Sequence, residues 1–321
     1  MKTALVLGAG GFIGSHLIKR LKLEGYCTIG MDIKRPDYSC LPTDCFLKMD
    51  LRDKLSLEYV FERFYNRIDE VYQLAADMGG AGYIFSGKHD ADVMHNSALI
   101  NLNVAEFLKD KKVKVFYSSS ACIYPATNQT DNEFPICIES TAYPANPDSE
   151  YGWEKLFSER LYQSYNRNYG LDIRIARFHN IFGPEGSYNN GKEKAPAAIC
   201  RKVAEAKEGE SIEVWGDGEQ TRSFLYVDEC IEGIRRLMES DYKEPVNIGS
   251  TEMISINELA EKVIAISGKT IGIKHIEGAL GVRGRNSNND LIQQKLNWSP
   301  NFPLQKGLEL TYKWINTQVN G

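Results

Sequence analysis

Residues 3–14 read "TALVLGAGGFIG", and this stretch decides the fold. A short apolar run, 3–8, meets a cluster of glycines, which is the pattern of a buried strand ending in a tight turn. Residues 14–24 then show helical spacing, with Leu17, Ile18 and Leu21 on one face and Lys19, Arg20 and Lys22 on the other. Gly8, Gly11 and Gly14 form a GxxGxxG triad, Gly10 adds a GxG, and Phe12 and Ile13 lie inside the loop. Glycines allow the turn and let backbone approach a pyrophosphate, while the helix start offers N–H donors and positive dipole. A glycine triad by itself also occurs in ordinary turns. Here Asp32 follows 18 residues after Gly14, at an expected strand end. That is close to the offset at which an acid accepts both ribose hydroxyls. The stretch therefore predicts dinucleotide binding. Asp32 would repel a 2′-phosphate, which favours NAD, although Lys34 and Arg35 stand nearby. Asp50 and Leu51 are placed to flank the adenine, with a strand cap as the other reading of Asp50.

The stretches 27–32, 46–50, 70–76, 112–119 and 172–178 read as further strands, with helix-like stretches between several of them, notably 96–110 and 149–167. Strand–helix alternation predicts an α/β fold, a Rossmann-type doubly wound parallel sheet with right-handed crossovers. After "RFHNIFGP" (177–184) the alternation is lost. The expected division is an NAD-binding domain of 1–178 plus about 224–249, and a smaller C-terminal substrate-binding lobe of 179–223 plus about 250–321.

The bulk numbers exclude several classes. With 321 residues, 42% hydrophobic and 25% charged, the chain has ordinary globular composition. A net charge of −5 argues against a general nucleic-acid binder, which needs a basic surface. No apolar stretch reaches the length of a membrane span. Seven cysteines (27, 40, 45, 122, 137, 200, 230) show no C-x-x-C pair, so neither a disulfide framework nor a metal site is expected. Reduced thiols suit a cytoplasmic protein.

"YGWEK" sets Tyr151 and Lys155 four apart, on one face of an expected helix. An ammonium beside a phenol favours phenolate and lowers its pKa from about 10 toward neutrality. Such a tyrosine takes a hydroxyl proton while hydride leaves the same carbon. The spacing also occurs in plain surface pairs. It gains weight from the glycine loop and from "SSS" at 118–120.

GxxGxxG, the serine run and YxxxK in this order resemble the extended short-chain dehydrogenases/reductases. Within that superfamily the chain resembles the nucleotide-sugar epimerases that act on C3 and C5 of GDP-mannose. The resemblance rests on "LAADMGG" (74–80), "SSACIYP" (119–125), "RFHNI" (177–181), "EKAPAA" (193–198), "WGDGEQTRSF" (215–224), "VDEC" (227–230), "EPVNIGS" (244–250) and "GVRGRNS" (281–287), nearly the whole length. It implies oxidation of the sugar at C4 by tightly held NAD+, exchange of the acidified C3 and C5 protons, and return of the hydride. Cys122 and Lys194 match the two proton carriers. A free thiol has a pKa near 8.5 that cations lower, and a desolvated lysine shuttles protons near neutrality. Ser120 is expected to hydrogen-bond the C4 oxygen beside Tyr151. Asn180 and Gly80 resemble sugar contacts, and a turn-forming role competes for Asn180. Arg283 resembles a diphosphate anchor, with Arg222 and Arg285 as helpers, and Gln220 lies near nucleotide or sugar hydroxyls. Trp215 and Tyr226 read as core. The family is usually dimeric through helices such as those at 96–110 and 149–167.

The thiol separates this chain from relatives. Sugar 4,6-dehydratases carry Thr and Glu around the position occupied here by Ser120, Ala121 and Cys122, so the acid that expels water is missing. GDP-fucose synthases share a Cys-Ile-Tyr-Pro run but use a histidine where this chain has Lys194, and fucose-synthase-like chemistry ranks lower. A non-catalytic NAD-binding sensor ranks lower still, since the Tyr–Lys pair and both carriers are present. The segment 81–104 departs from the family pattern, with Ala81 where a methionine and Phe85 where an amide is usual. A GDP-manno-heptose is therefore kept as an alternative substrate.

Overall fold

The computed structural model describes residues 1–64, 67–278 and 281–321. In chain order the first elements are β1 (Thr3–Leu7), α1 (Phe12–Leu23), β2 (Cys27–Asp32), β3 (Cys45–Lys48), α2 (Leu55–Phe64), β4 (Glu70–Gln73), the one-turn α3 (Ala81–Ile84), α4 (Asp90–Leu108), β5 (Lys114–Ser120), α5 (Glu150–Tyr169) and β6 (Asp172–Phe178). Next come β7 (Ile181–Phe182), α6 (Ala195–Glu205), β8 (Ser211–Trp215), β9 (Thr221–Ser223), β10 (Leu225–Tyr226), α7 (Val227–Glu239) and β11 (Val246–Ile248). The chain closes with β12 (Met253–Ser255), α8 (Ile256–Ser267), β13 (Gly272–Ile276), β14 (Gly284–Arg285), α9 (Asp290–Leu296) and α10 (Leu304–Asn320).

Seven strands form one sheet in the order β11-β6-β5-β4-β1-β2-β3. All neighbours are parallel. From β1 the chain winds outward to β3, then returns to the other side of β1 with β4 and winds outward again. This is the expected doubly wound sheet. Ligands bind such sheets at the carboxyl ends of the strands, beside the reversal. Here that edge carries Gly8, Asp32 and Ser120.

Successive strand residues serve opposite cores. Ala4 and Val6 join Leu17, Ile18, Leu21 and the α7 residues on one face. Leu5 and Leu7 join Val60, Val104, Val115 and Tyr162 on the other. Both faces are covered, so the central strand β1, TALVL, reads as a nearly continuous apolar run. The first core extends unbroken to Leu259 and Val263 of α8 and Leu308 and Ile315 of α10.

The later strands are short. β7 pairs with β10, β8 with β13, and β9 lies between β12 and β14. α4 begins at Asp90, earlier than the expected 96, with Asp90 and Asp92 in its first turn where the helix dipole favours acids. Among the described residues no helix is long and apolar enough to cross a membrane.

Candidate active site

The glycine loop is packed too tightly for side chains. A Cβ on Gly8 would stand 2.7 Å from the Ala75 nitrogen, on Gly14 2.2 Å from the Gly8 carbonyl oxygen, and on Gly10 2.0 Å from the Lys34 carbonyl oxygen. Gly11 caps α1 without a side-chain bond to its first N–H groups. Phe12 lies against Gly183 and Gly186 of the segment after β7, and Ile13 packs on the first core. The half-buried Asp32 carboxylate accepts the Gly10 N–H at 2.9 Å and the Lys34 N–H at 3.1 Å. Burial raises its pKa, and these two donors pull it back. A glycine cradle at a helix start with an acid at the next strand end fits a dinucleotide. Asp50 and Leu51 diverge. The Asp50 carboxylate is held by the Arg52 guanidinium at 2.7 Å, and Leu51 is buried in the second core.

Tyr151 and Lys155 do share a face of α5. The Lys155 ammonium donates to the Ser118 carbonyl at 2.9 Å and stands 5.7 Å from the Tyr151 ring centre. The expected lowering of the Tyr151 pKa is not met. Burial dominates and raises the phenol, with the Cys122 sulfur adding to it and a bond to Ser120 working the other way. Burial likewise lowers Lys155, against which the neighbouring Glu154 carboxylate pulls. Glu154, given no role in the sequence reading, is buried between them in sequence and accepts from Asn101 at 3.0 Å and Ser158 at 2.7 Å.

Ser120 ends β5 and its hydroxyl accepts the Cys122 N–H at 3.2 Å. α5 begins hard against this turn: a Cβ on Gly152 would lie 2.2 Å from the Cys122 carbonyl oxygen. Cys122 packs with Tyr83 and Phe85 on a small cluster of Ile84, Val93 and Tyr151. Lys194 caps the start of α6. The residue as a whole keeps some exposure, but its ammonium is desolvated, which lowers its pKa, and the sulfurs of Cys122 and Cys230 act on it in the opposite sense. The two residues read as proton carriers are thus brought into electrostatic reach of each other.

Gly80 joins them indirectly. Its N–H donates to the Lys192 carbonyl at 2.9 Å, its carbonyl accepts from Tyr83 and Ile84, and a Cβ would stand 2.1 Å from the Glu193 carbonyl oxygen. Its backbone groups are therefore spent inside the protein, docking α3 on the segment that leads to Lys194. The same contact is reinforced by the Tyr83 ring, which stacks on His89 at 4.2 Å and receives the Lys192 ammonium at 3.9 Å. Asn180 adopts φ +45 and bonds the Ser223 carbonyl at 2.9 Å, the geometry of a turn former.

The three arginines separate. Arg283 stands at the surface, paired with Asp217 at 3.0 Å. Arg222 donates to the carbonyls of Thr221 and Val282, both at 2.7 Å, while burial and then the Arg285 charge press its pKa down. Arg285 is buried and meets Cys122, at 3.1 Å from its sulfur. Gln220 is buried with its Oε1 unpartnered. Tyr226 is core as expected, whereas Trp215 is 39% exposed, with Gly82 and Gly278 close to its ring.

The class follows from this sheet, loop and Tyr–Lys pair, and a family model agrees: the NAD dependent epimerase/dehydratase family matches residues 4–249, and the chain belongs to it. It is an NAD-dependent enzyme of the isomerase kind. More particularly, the chain is similar to GDP-mannose 3,5-epimerase of Arabidopsis thaliana, 47% identical over 98% of this chain and 82% of the relative. Among solved structures it is similar to UDP-glucose 4-epimerase of Thermotoga maritima with UDP-glucose, at TM-score 0.86 and 26% identity over 99% of this chain and 100% of that one. It is also similar to UDP-glucuronic acid 4-epimerase of Bacillus cereus with UDP-glucuronic acid and NAD, at TM-score 0.81 and 27% identity over 98% and 99%.

Proposed function

We propose that this enzyme inverts C3, C5 or both in a GDP-hexose, converting GDP-mannose to sugars of the GDP-L-galactose and GDP-L-gulose type through a transient 4-keto intermediate. The observation that carries the reading is a thiol, Cys122, packed against Tyr151 and within electrostatic reach of a desolvated amine, Lys194. Inversion needs a base on one face of a carbon and an acid on the other. The 47% identical relative supports the choice of sugar.

Tyr151 takes the C4 hydroxyl proton, with Ser120 hydrogen-bonding the same oxygen and Lys155 beside the phenol. NAD+, when bound, would supply reversible hydride-transfer chemistry at C4. Gly8, Gly10, Gly11, Phe12, Ile13 and Gly14 would hold its pyrophosphate and Asp32 its ribose, and Asp50 and Leu51 would flank its adenine. The C4 ketone acidifies the protons on C3 and C5, which Cys122 and Lys194 remove and return. Arg283 anchors the diphosphate. Arg222 and Arg285, two guanidiniums away from water, favour an anion nearby. The unpartnered Gln220 Oε1 accepts from a nucleotide or sugar donor. Asn180 and Gly80 shape the sugar end.

The proposal includes the two lobes, 1–178 plus about 224–249 for NAD and 179–223 plus about 250–321 for the sugar nucleotide. It also includes a homodimer through α4 and α5, where Leu102, Trp153 and Phe157 are exposed, and a cytoplasmic location. A second reading, a GDP-manno-heptose, is favoured by the small, exposed Ala81 beside the cluster that holds Cys122. A clear kcat/KM preference for GDP-mannose removes it.

Incubation with GDP-mannose in D2O tests the proposal. Deuterium at C3 and C5 in a non-keto product is expected. Loss of the C6 oxygen would indicate dehydration, and absence of exchange would end the assignment for this sugar.

A further inference from the structure

Arg285 is held as a fixed point. β14 pairs with β9 through Gly284 and Arg285, and a Cβ on Gly284 would stand 2.0 Å from the Asp131 carbonyl oxygen. The strand is therefore pressed between β9 and the 131–132 turn, and Arg285 enters the interior. Its Nε donates to the Gln129 Oε1 at 2.5 Å, and its Nη2 to the Asp148 Oδ2 at 2.9 Å. Gln129 is itself fully buried and fixed by donating to the Tyr124 and Pro125 carbonyls at 3.0 and 3.2 Å. The planar fork has two of its edges clamped, and the remaining Nη1 lies 3.1 Å from the Cys122 sulfur.

We propose that Arg285 is a positioning residue for Cys122: it fixes the sulfur beside the sugar and stands as its counter-cation whenever the proton has left. The guanidinium stays protonated in proteins and is already oriented, so charge on the sulfur meets a preorganised donor. This inference rests on the reading of Cys122 as a proton carrier and departs from the diphosphate role given to Arg285 by resemblance.

The test uses the NAD-loaded enzyme and iodoacetamide, with the alkylated Cys122 peptide followed by mass spectrometry across pH. Because no sugar is present, the result does not depend on the proposed substrate. Arg285→Gln is expected to slow alkylation near pH 7 by about tenfold, since the nucleophile is the thiolate and a charged hydrogen bond is lost. Arg285→Lys keeps charge without the fork and is expected to fall between Gln and wild type. If Arg285→Gln does not fold, the Lys variant decides, and a rate equal to wild type overturns the proposal. Unchanged or faster alkylation in a folded Gln variant also overturns it, because a merely structural arginine would loosen the turn and expose the sulfur. Separately, Cys122→Ser is expected to keep NADH formation at 340 nm on GDP-mannose and to lose most deuterium incorporation. If exchange survives in Cys122→Ser, the proton-carrier reading fails while the Arg285 contact stands or falls on alkylation alone.

Discussion

Lys194 carries the clearest pH signature. Burial of its ammonium lowers its pKa, so the neutral amine accumulates below the value of about 10.4 at which an exposed lysine would lose its proton. Where Lys194 is the base, exchange rises with pH through that lowered value. Lys194→Arg removes the neutral form altogether, since a guanidinium does not deprotonate in proteins. We expect it to cut deuterium exchange at one carbon by about a hundredfold, the usual scale of a lost general base, with NADH formation retained. Carbon-resolved NMR of the product across pH checks both statements. The residues proposed for this site were named from the sequence, but the contacts around them could not be. Nothing in the spacing couples Arg285 to Cys122, which lie 163 positions apart. Nor does YxxxK reveal that burial, and not the ammonium, dominates the Tyr151 phenol.

Between elements, the contact of the α3 cap with the segment just before α6 is the joint that holds the chain leading to Lys194. Gly80→Ala puts a methyl group 2.1 Å from the Glu193 carbonyl oxygen, where backbone must move. We expect kcat to fall by at least about tenfold with little change in melting temperature, because a misplacement of about 1 Å at reacting groups has that effect. A variant with unchanged kcat would show that the joint does not position Lys194. β2 (CTIGMD) and β6 (DIRIARF) were readable to the residue because each is a short stretch rich in strand-favouring residues that ends at a polar or turn-forming neighbour. β7, β9, β10, β12 and β14 have two or three residues each, too few to show a period, so none of them could be read as a strand from the sequence. The early start of α4 was hidden because "GKHDADV" looks like loop until the two acids are seen as a helix first turn.

For the molecule as a whole, the sheet is tied to the helices on one face by a buried charge network at the edge away from the site. Glu70 on β4 accepts from Tyr72 at 2.5 Å, Tyr26 at 3.0 Å and Arg235 at 2.9 Å, and Arg235 also meets Glu24 at 2.9 Å. Burial alone would raise the Glu70 pKa, but the Tyr72 hydroxyl and the Arg235 guanidinium outweigh it and hold it below the ordinary range. A lowered carboxylate pKa contributes stability that is present above the unfolded value of about 4.3 and is lost as pH falls through the folded value. Glu70→Gln is expected to destabilise the protein at pH 7 by about 3 kcal/mol, the lower end for a broken buried pair because Glu24 still meets Arg235. Its acid loss of stability should also be shallower than that of wild type. Urea unfolding at pH 7 and pH 4 checks both. The doubly wound parallel sheet was implied by strand–helix alternation, whereas its seven-stranded order and this network, which joins residues far apart in the chain, had no local signature. The Asp32 carboxylate has a cost for anyone wishing to exchange the cofactor. An engineer who removed it to admit a phosphorylated ribose would also strip the acceptors from the Gly10 and Lys34 N–H groups, and so loosen the glycine turn itself. In this chain, retargeting to NADP is a problem of rebuilding a loop before it is one of adding an arginine.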